Sequence, residues 1–301
     1  MTTLTMNDNP VPAAPQGTKP GAPQNALQQS QAAAPVNARL SFDGILKGEW
    51  IKLLSLRSIR WSVLVMLVLS WGGAAMLSLG MAGSEFVTPE TLSSVVGQAA
   101  TFGSMFTVLI MGVLGVLAVT SEYASGMILS SLTAVPSRTP LLLAKALVVA
   151  ALAFLVGSLS TFGGALLSGL VLGDGALQAL VDPAVVVSLL GNALYLTLAA
   201  LLALGIGTML RSSAGAISAV VGLLFIAPIV FQVLSMTGWE WVPVVANWLP
   251  ANLGSTLSST ALQSAAVAGS VSYWGALGGL AAWAVAALVP AAVLFKTRDA
   301  V

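Results

Sequence analysis

Residues 120–145 read TSEYASGMILSSLTAVPSRTPLLLAK, a polar, turn-containing segment that separates two long apolar runs. The segment carries Glu122, Arg138 and Lys145 in a chain in which only 7% of the residues are charged. If the two runs cross a membrane, the segment is a compact connection at one face of that membrane. A partner protein would bind such a connection in order to move the helices. We therefore predict that residues 121–140 form a coupling loop.

The composition of the whole chain is typical of a membrane protein. Hydrophobic residues make up 57% of the 301 residues and the mean hydropathy is +0.96, whereas about a quarter of the residues in soluble domains are charged. A net charge of +1 provides no general attraction for nucleic acid. The chain has no Cys and no His, which excludes disulfides, thiol catalysis, His metal sites and His proton switching.

Six apolar runs are each near the ~20 residues that cross the hydrocarbon core of a bilayer as a helix. None of them contains a charged residue away from its ends. Because lipid offers no hydrogen-bond partners, the backbone groups of such runs must pair with each other in a helix. The sequence therefore predicts an all-α integral membrane protein with six transmembrane helices over residues 61–298. The runs lie at about 61–82, 99–120, 146–172, 184–209, 213–236 and 274–295.

Two segments precede the first run. Residues 1–38 are rich in Pro, Gln, Ala, Asn and Gly and have no apolar period, which predicts a disordered cytoplasmic tail. Residues 39–60 predict an amphipathic interfacial helix, which either anchors the chain or transmits motion. Its apolar positions are Phe42, Leu46, Trp50, Leu53 and Leu54, and its charged positions are Lys47, Glu49, Lys52, Arg57 and Arg60.

The distribution of charge predicts the orientation. The eleven Lys and Arg residues lie in the N-terminal tail and helix, in the connection between the second and third runs, after the fourth run, or after the last run. By the positive-inside rule, both termini are cytoplasmic. The other connections have only acidic residues as their charged groups, namely Glu85, Glu90, Asp174, Asp182 and Glu240.

The outer loop at 237–273 is the longest of these other connections. Its tryptophans suit the lipid headgroup region, where an indole is half apolar and half hydrogen-bonded. Trp248, Pro250 and Asn252 are candidates for an outer gate, a lid over an exit path, although a plain interfacial loop explains the same residues. Pro228 lies inside the fifth run and predicts a kink there.

Known catalytic motifs are missing from the sequence. There is no GxxxxGK[ST] phosphate-binding loop, no HExxH helix and no Gly-x-Ser-x-Gly element. We predict that the chain is not an enzyme and binds no cofactor or metal itself. The polar residues inside the runs, such as Gln98, Asn192 and Gln232, are neutral. Ion-driven carriers usually place charged groups there, so the sequence disfavours such a carrier. We interpret the neutral residues as interhelical hydrogen bonders, with substrate ligands as the alternative.

Two places in the sequence resemble the six-span membrane subunit, or permease, of bacterial type-2 ABC exporters. The first is Glu49-Trp50-Ile51-Lys52 with Leu56-Arg57-Ser58 and Arg60-Trp61, and the second is Ser121-Glu122-Tyr123-x-x-Gly126 with Leu132, Pro136, Arg138 and Lys145. The family often has Thr directly after the Gly and a basic residue shortly before it. Here those positions hold Met127 and Ser125.

The resemblance implies a mechanism in the bacterial cytoplasmic membrane. Two permeases, either identical or paired with a paralogue, would line an export path, and two separate ATP-binding subunits carrying ATP and Mg²⁺ would dock on the cytoplasmic side. Glu122 would be the pivot, an exposed loop acid paired with Arg57, Arg138 or an Arg of the partner. The alternative is a passive channel or structural membrane scaffold without an ATPase partner. The ATPase-coupling residues implied are Glu49, Lys52, Arg57, Ser121, Glu122, Tyr123, Gly126, Pro136 and Arg138.

Overall fold

A computed structural model describes residues 41–134, 138–173, 175–259 and 271–297, without the side chains of 130–132 and 134. The predicted tail, the first two residues of the predicted interfacial helix and Pro136 lie outside the described residues. Every regular element in these ranges is helical. The helices are α1 (Phe42–Ser55), α2 (Arg57–Met81), α3 (Leu92–Thr101), α4 (Ser104–Ala124), α5 (Met127–Ala134), α6 (Arg138–Leu172), α7 (Ala176–Ala179), α8 (Pro183–Leu210), α9 (Ser213–Val221), α10 (Ala227–Ser235), α11 (Trp241–Asn247), α12 (Pro250–Ser258) and α13 (Tyr273–Thr297).

Six helical segments of the described chain are long and apolar enough to cross a membrane, which confirms the predicted number. Spans 1, 3, 4 and 6 are α2, α6, α8 and α13. Span 2 consists of α3 and α4, and span 5 consists of α9, a π-helical turn (Gly222–Ile226) and α10. The interfacial position of α1 and the cytoplasmic location of the termini stay predictions.

Span 2 begins earlier than predicted and is interrupted. It starts at Leu92 rather than near residue 99, and α3 ends just before Gly103. Gly103 lies against the backbone of span 1, where an added Cβ would be 2.8 Å from the Cα of Ser70. Only glycine permits this approach, so the interruption lies where span 2 contacts the backbone of span 1.

Span 4 lies at the centre of the bundle, against spans 2, 3 and 6. It is the most buried span, and span 5 is the least buried. Glycines permit the close packing around span 4. An added Cβ at Gly115 of span 2 would be 2.2 Å from the carbonyl oxygen of Ala200, and one at Gly205 would be 2.7 Å from Ala287 of span 6.

The connection between spans 2 and 3 is more helical than the predicted loop. Span 2 continues to Ala124, α5 occupies Met127–Ala134, and span 3 begins at Arg138 rather than near residue 146. As a result, Glu122 lies on the last turn of span 2 and Lys145 lies inside span 3. The charged residues of this region are held by long helices and not by a flexible loop.

The described part of the outer connection between spans 5 and 6 contains two short helices, α11 and α12. Helix α12 packs against spans 4 and 6, and its Leu253 and Leu257 are fully buried. An added Cβ at Gly191 of span 4 would be 2.1 Å from the carbonyl oxygen of Leu257. This connection therefore re-enters the bundle, and its residues 260–270 lie outside the described ranges.

Candidate coupling site

Three helices bring four charged side chains together at one end of the bundle. Glu49 and Lys52 come from α1, Glu122 from the last turn of span 2, and Lys145 from the third turn of span 3. We call these residues the charge cluster. Glu49, Glu122 and Lys145 are each no more than 5% exposed, which is rare for charged residues unless they are paired.

Lys145 is the hub of the cluster. Its Nζ lies 2.5 Å from Oε2 of Glu49 and 2.8 Å from Oε1 of Glu122, and it also donates to the carbonyl oxygen of Ala118 at 3.2 Å. The ammonium of Lys145 thus uses all three of its donors. Lys52 completes the arrangement, with its Nζ 2.7 Å from Oε1 of Glu49 and 3.6 Å from Oε1 of Glu122.

The cluster is balanced, because two carboxylates face two ammonium groups. Burial alone would raise the pKa of Glu49, but the neighbouring ammonium groups of Lys145 and Lys52 outweigh burial and lower it below its ordinary value. Burial would likewise lower the pKa of Lys52, and the carboxylates of Glu49 and Glu122 raise it instead. Both groups of α1 are therefore held in their charged forms over the physiological range.

The expectation that Glu122 is an exposed loop acid is wrong. Its side chain is buried on span 2, and its ion-pair partners are Lys145 and Lys52. The other carboxylate oxygen, Oε2, is buried without a hydrogen-bond partner within the described ranges. Glu49, which was predicted as a charged position of an amphipathic interfacial helix, is likewise buried.

The same end of span 2 also contacts the turn between spans 4 and 5. The guanidinium of Arg211 lies 5.2 Å from the ring centroid of Tyr123, within reach of a cation–π interaction. Ser213 donates to the hydroxyl of Thr120 at 2.9 Å. Arg211 ends span 4 with a φ of 53°, a left-handed conformation that is uncommon outside glycine.

The remaining predicted coupling residues occupy separate positions. Gly126, with a φ of 70°, ends span 2 in a left-handed turn that favours glycine. The hydroxyl of Ser121 donates to the carbonyl oxygen of Leu117 within its own helix. Arg57 is exposed at the start of span 1, and Arg138 donates to the carbonyl oxygens of Phe295 and Lys296 at the end of span 6.

Lys145 and Arg211 are not among the ATPase-coupling residues that the resemblance implied. Lys145 had been named as a charge of the connection and as part of the second motif, but it was not predicted to pair with Glu122 or Glu49. No comparable signal marked Arg211, because its contact with Tyr123 joins the ends of two spans that are distant in the sequence.

The candidate outer-gate residues lie at the other end of the bundle, on and before α12. Trp248 is half exposed, and its carbonyl oxygen accepts a hydrogen bond from the indole of Trp283 at 2.9 Å. Pro250 is buried at the start of α12, and the amide of Asn252 donates to the carbonyl oxygen of Ala246 at 2.7 Å. These contacts fix the connection between α11 and α12, and a gating role for it stays a prediction.

The comparison with known families agrees with this arrangement. The profile described as "ABC-2 family transporter protein" matches residues 45–228, which is more than half of the chain. The matched part includes the whole charge cluster and the first five spans up to Pro228. The protein belongs to the ABC-2 transporter family, whose members are membrane transport components, and the resemblance to a type-2 ABC permease is confirmed. No curated protein matches the sequence.

Proposed function

We propose that the chain forms the cargo path of an ATP-driven exporter as a dimer with a second permease, identical or paralogous. Separate ATP-binding subunits would act on it through the charge cluster. The observation that carries this proposal is the balanced, buried cluster that joins α1, span 2 and span 3. Family membership supports a permease subunit of an ABC transporter. We further propose a bacterial cytoplasmic membrane, with the cluster at its cytoplasmic face.

The docking element in this proposal is α5, which links the ends of spans 2 and 3. Its Met127 and Leu129 are 41% and 55% exposed, and the positive-inside rule puts α5 in the cytoplasm rather than in lipid. Exposed apolar side chains at such a position favour a protein contact. ATP and Mg²⁺ would be held by the docked subunit, since this sequence has no phosphate-binding loop.

The cluster gives a physical route for coupling. A force on α5 acts on the end of span 2, and the ion pairs of Lys145 transmit it to span 3 and to α1. The contact between Tyr123 and Arg211 transmits the same displacement to the turn that begins span 5. Helix ends joined by short, buried polar contacts move as one unit, because separating them would leave charges buried and unpaired.

Affinity purification in mild detergent from the native host tests the proposal. We expect a P-loop ATPase to co-purify in stoichiometric amount with the full chain and to be lost with Leu129→Asp. The matched control is Phe86→Asp, a change of another exposed apolar residue (78% exposed) on the predicted outer side, and it should retain the ATPase. A chain that purifies alone, under conditions in which other transporters stay assembled, would favour the passive channel or scaffold.

A further inference from the structure

A cavity of about 720 Å³ lies at the opposite end of the bundle from the charge cluster. Span 2 forms one wall through its outer half, and span 5 forms the facing wall. Helices α11 and α12 close the end of the cavity, with Asn252 and Ser255 among its lining residues. Its volume is within the roughly 300–1,000 Å³ range of sites for drug-sized ligands.

The lining combines aromatic and methionine side chains with a few polar groups, three of which have no hydrogen-bond partner among the described residues. Gln98 of span 2 and Gln232 of span 5 both line the cavity, and both are exposed. Within the described chain, their carboxamides make no hydrogen bond to protein. The hydroxyl of Ser104 is buried at the same cavity without a partner in the described ranges.

Asn192 provides the contrast within the same bundle. It is buried in span 4, and its amide oxygen accepts a hydrogen bond from Ser258 of α12 at 2.9 Å. Asn192 is therefore an interhelical hydrogen bonder, as the sequence predicted. That interpretation does not account for Gln98 and Gln232, which face an open cavity on two different spans. A mostly apolar cavity with a few polar groups converging on it is the usual form of a ligand site.

The described residues that line the cavity include no Asp, Glu, Lys or Arg. An ion that moved from water into this cavity would find no opposite charge there. Its transfer would cost far more free energy than the transfer of a neutral group that gains hydrogen bonds. The apolar part of the lining, such as Phe102 and Phe225, suits a hydrocarbon chain or ring. These features select an uncharged amphipathic ligand with hydroxyl or amide groups at one end.

Span 5 is the wall best able to admit such a ligand. Its first half, α9, is joined to span 2 by Ser213, and an added Cβ at Gly112 of span 2 would be 2.7 Å from Val220. The π-helical turn Gly222–Ile226 and Pro228 then interrupt the regular hydrogen-bond pattern, which is where helices bend. Beyond them, α10 has no buried residue.

We propose that this cavity, with Gln98, Gln232 and Ser104 as its polar contacts, binds the uncharged amphipathic cargo of the exporter. The identification of the ligand as cargo rests on the proposed function, whereas binding of the ligand needs neither ATP nor a partner. Photolabelling of the full chain in lipid nanodiscs tests it. The probes are three photoreactive C12 amphiphiles that differ only in their headgroups, which are maltoside, trimethylammonium and sulfate.

We expect the maltoside probe to label peptides around Gln98 and Gln232 at least fivefold more than either charged probe. Excess unlabelled dodecyl maltoside should block this labelling, and the double variant Gln98→Leu/Gln232→Leu should abolish the preference. The peptide around Val285, a 56% exposed residue of span 6, is the internal control and should label equally with all three probes in both proteins.

Equal labelling of the cavity by the three probes, at the ratio found around Val285, would overturn the proposal. The same holds if the double variant keeps the maltoside preference. Two competitors distinguish a membrane lipid from a water-soluble ligand as the occupant of the cavity. A glycolipid in the nanodisc blocks the probe if the occupant is a membrane lipid. A water-soluble alkyl glucoside blocks the probe if the occupant enters from water. Because ATPase co-purification is a separate measurement, a failure here leaves the exporter proposal intact.

Discussion

Removal of the Lys145 ammonium is the perturbation whose effect the charge cluster defines most sharply. Lys145 pairs with Glu49 at 2.5 Å and with Glu122 at 2.8 Å, and it is buried. Removing one partner of a buried ion pair costs about 3–5 kcal/mol, because the remaining charge is left buried and uncompensated. We therefore expect Lys145→Met to lower the free energy of unfolding by about this amount.

A second change should partly rescue the first. Lys145→Met leaves two carboxylates and one ammonium, whereas the double variant Lys145→Met/Glu122→Gln leaves the balanced pair of Glu49 and Lys52, whose closest atoms are 2.7 Å apart. Coupled residues show interaction energies of about 0.5–3 kcal/mol, so the double variant should unfold at a higher denaturant concentration than Lys145→Met alone.

Equilibrium unfolding in mixed micelles measures these differences. Lys47→Met is the control. Lys47 forms an ion pair with Asp43 in which both side chains are exposed, and such pairs contribute little to stability. If Lys145→Met behaves like Lys47→Met, the buried ion pairs do not stabilise the protein. If Glu122→Gln adds its full cost to that of Lys145→Met, the two residues act independently and are not coupled.

Three further predictions follow from the same contacts. The pKa of Glu49 is lowered from its ordinary value of 4.5, so its contribution to stability is complete above pH 4.5 and lost as the pH falls through the lowered pKa; acid unfolding of wild type and Glu49→Gln should converge there. Tyr123→Leu removes the ring under Arg211 and should cost about 0.5–1 kcal/mol in unfolding experiments, whereas Tyr123→Phe retains the ring and loses only the hydroxyl that bonds to Arg211, so it should cost less than Tyr123→Leu. Gly191→Ala should cost about 1–3 kcal/mol by overpacking, because its Cβ would collide with α12; Gly72→Ala, which meets nothing within 4 Å, should cost nothing in the same assay.

The sequence predicted the six spans because long uncharged apolar runs have only one stable arrangement in lipid. It did not predict the interruption of span 2 at Gly103, since that interruption depends on the approach of span 1. The predicted coupling loop was also too long, because an apolar run marks the part of a helix that suits lipid. Spans 2 and 3 continue past their apolar runs, to Ala124 and from Arg138.

The candidate site was predicted in its location but not in its chemistry. Glu49, Lys52 and Glu122 were selected by their resemblance to family positions, and the structure brings these three together. Their burial and the central role of Lys145 depend on how α1 packs against two spans, and local sequence patterns do not specify this packing. For the same reason the neutral residues Gln98 and Asn192 looked equivalent in the sequence, although one faces a cavity and the other is bonded to α12.

The central claim is that ATP-driven motion reaches the spans through the charge cluster. Because the chain has no cysteine, spin labels can be attached at Val233→Cys in span 5 and Trp274→Cys in span 6, which are 60% and 77% exposed. We would measure the distance between these labels in the complex with its ATPase, with and without ATP. The spin-labelled chain would have either the native charge cluster or the double change Lys145→Met/Glu122→Gln.

With the native cluster, we expect ATP to shift the distance distribution between the two labels. With the altered cluster, we expect the ATPase to stay bound and still hydrolyse ATP while the distance no longer responds. The same ATP-induced shift in both complexes would contradict the account, because the motion would then reach span 5 without the buried ion pairs.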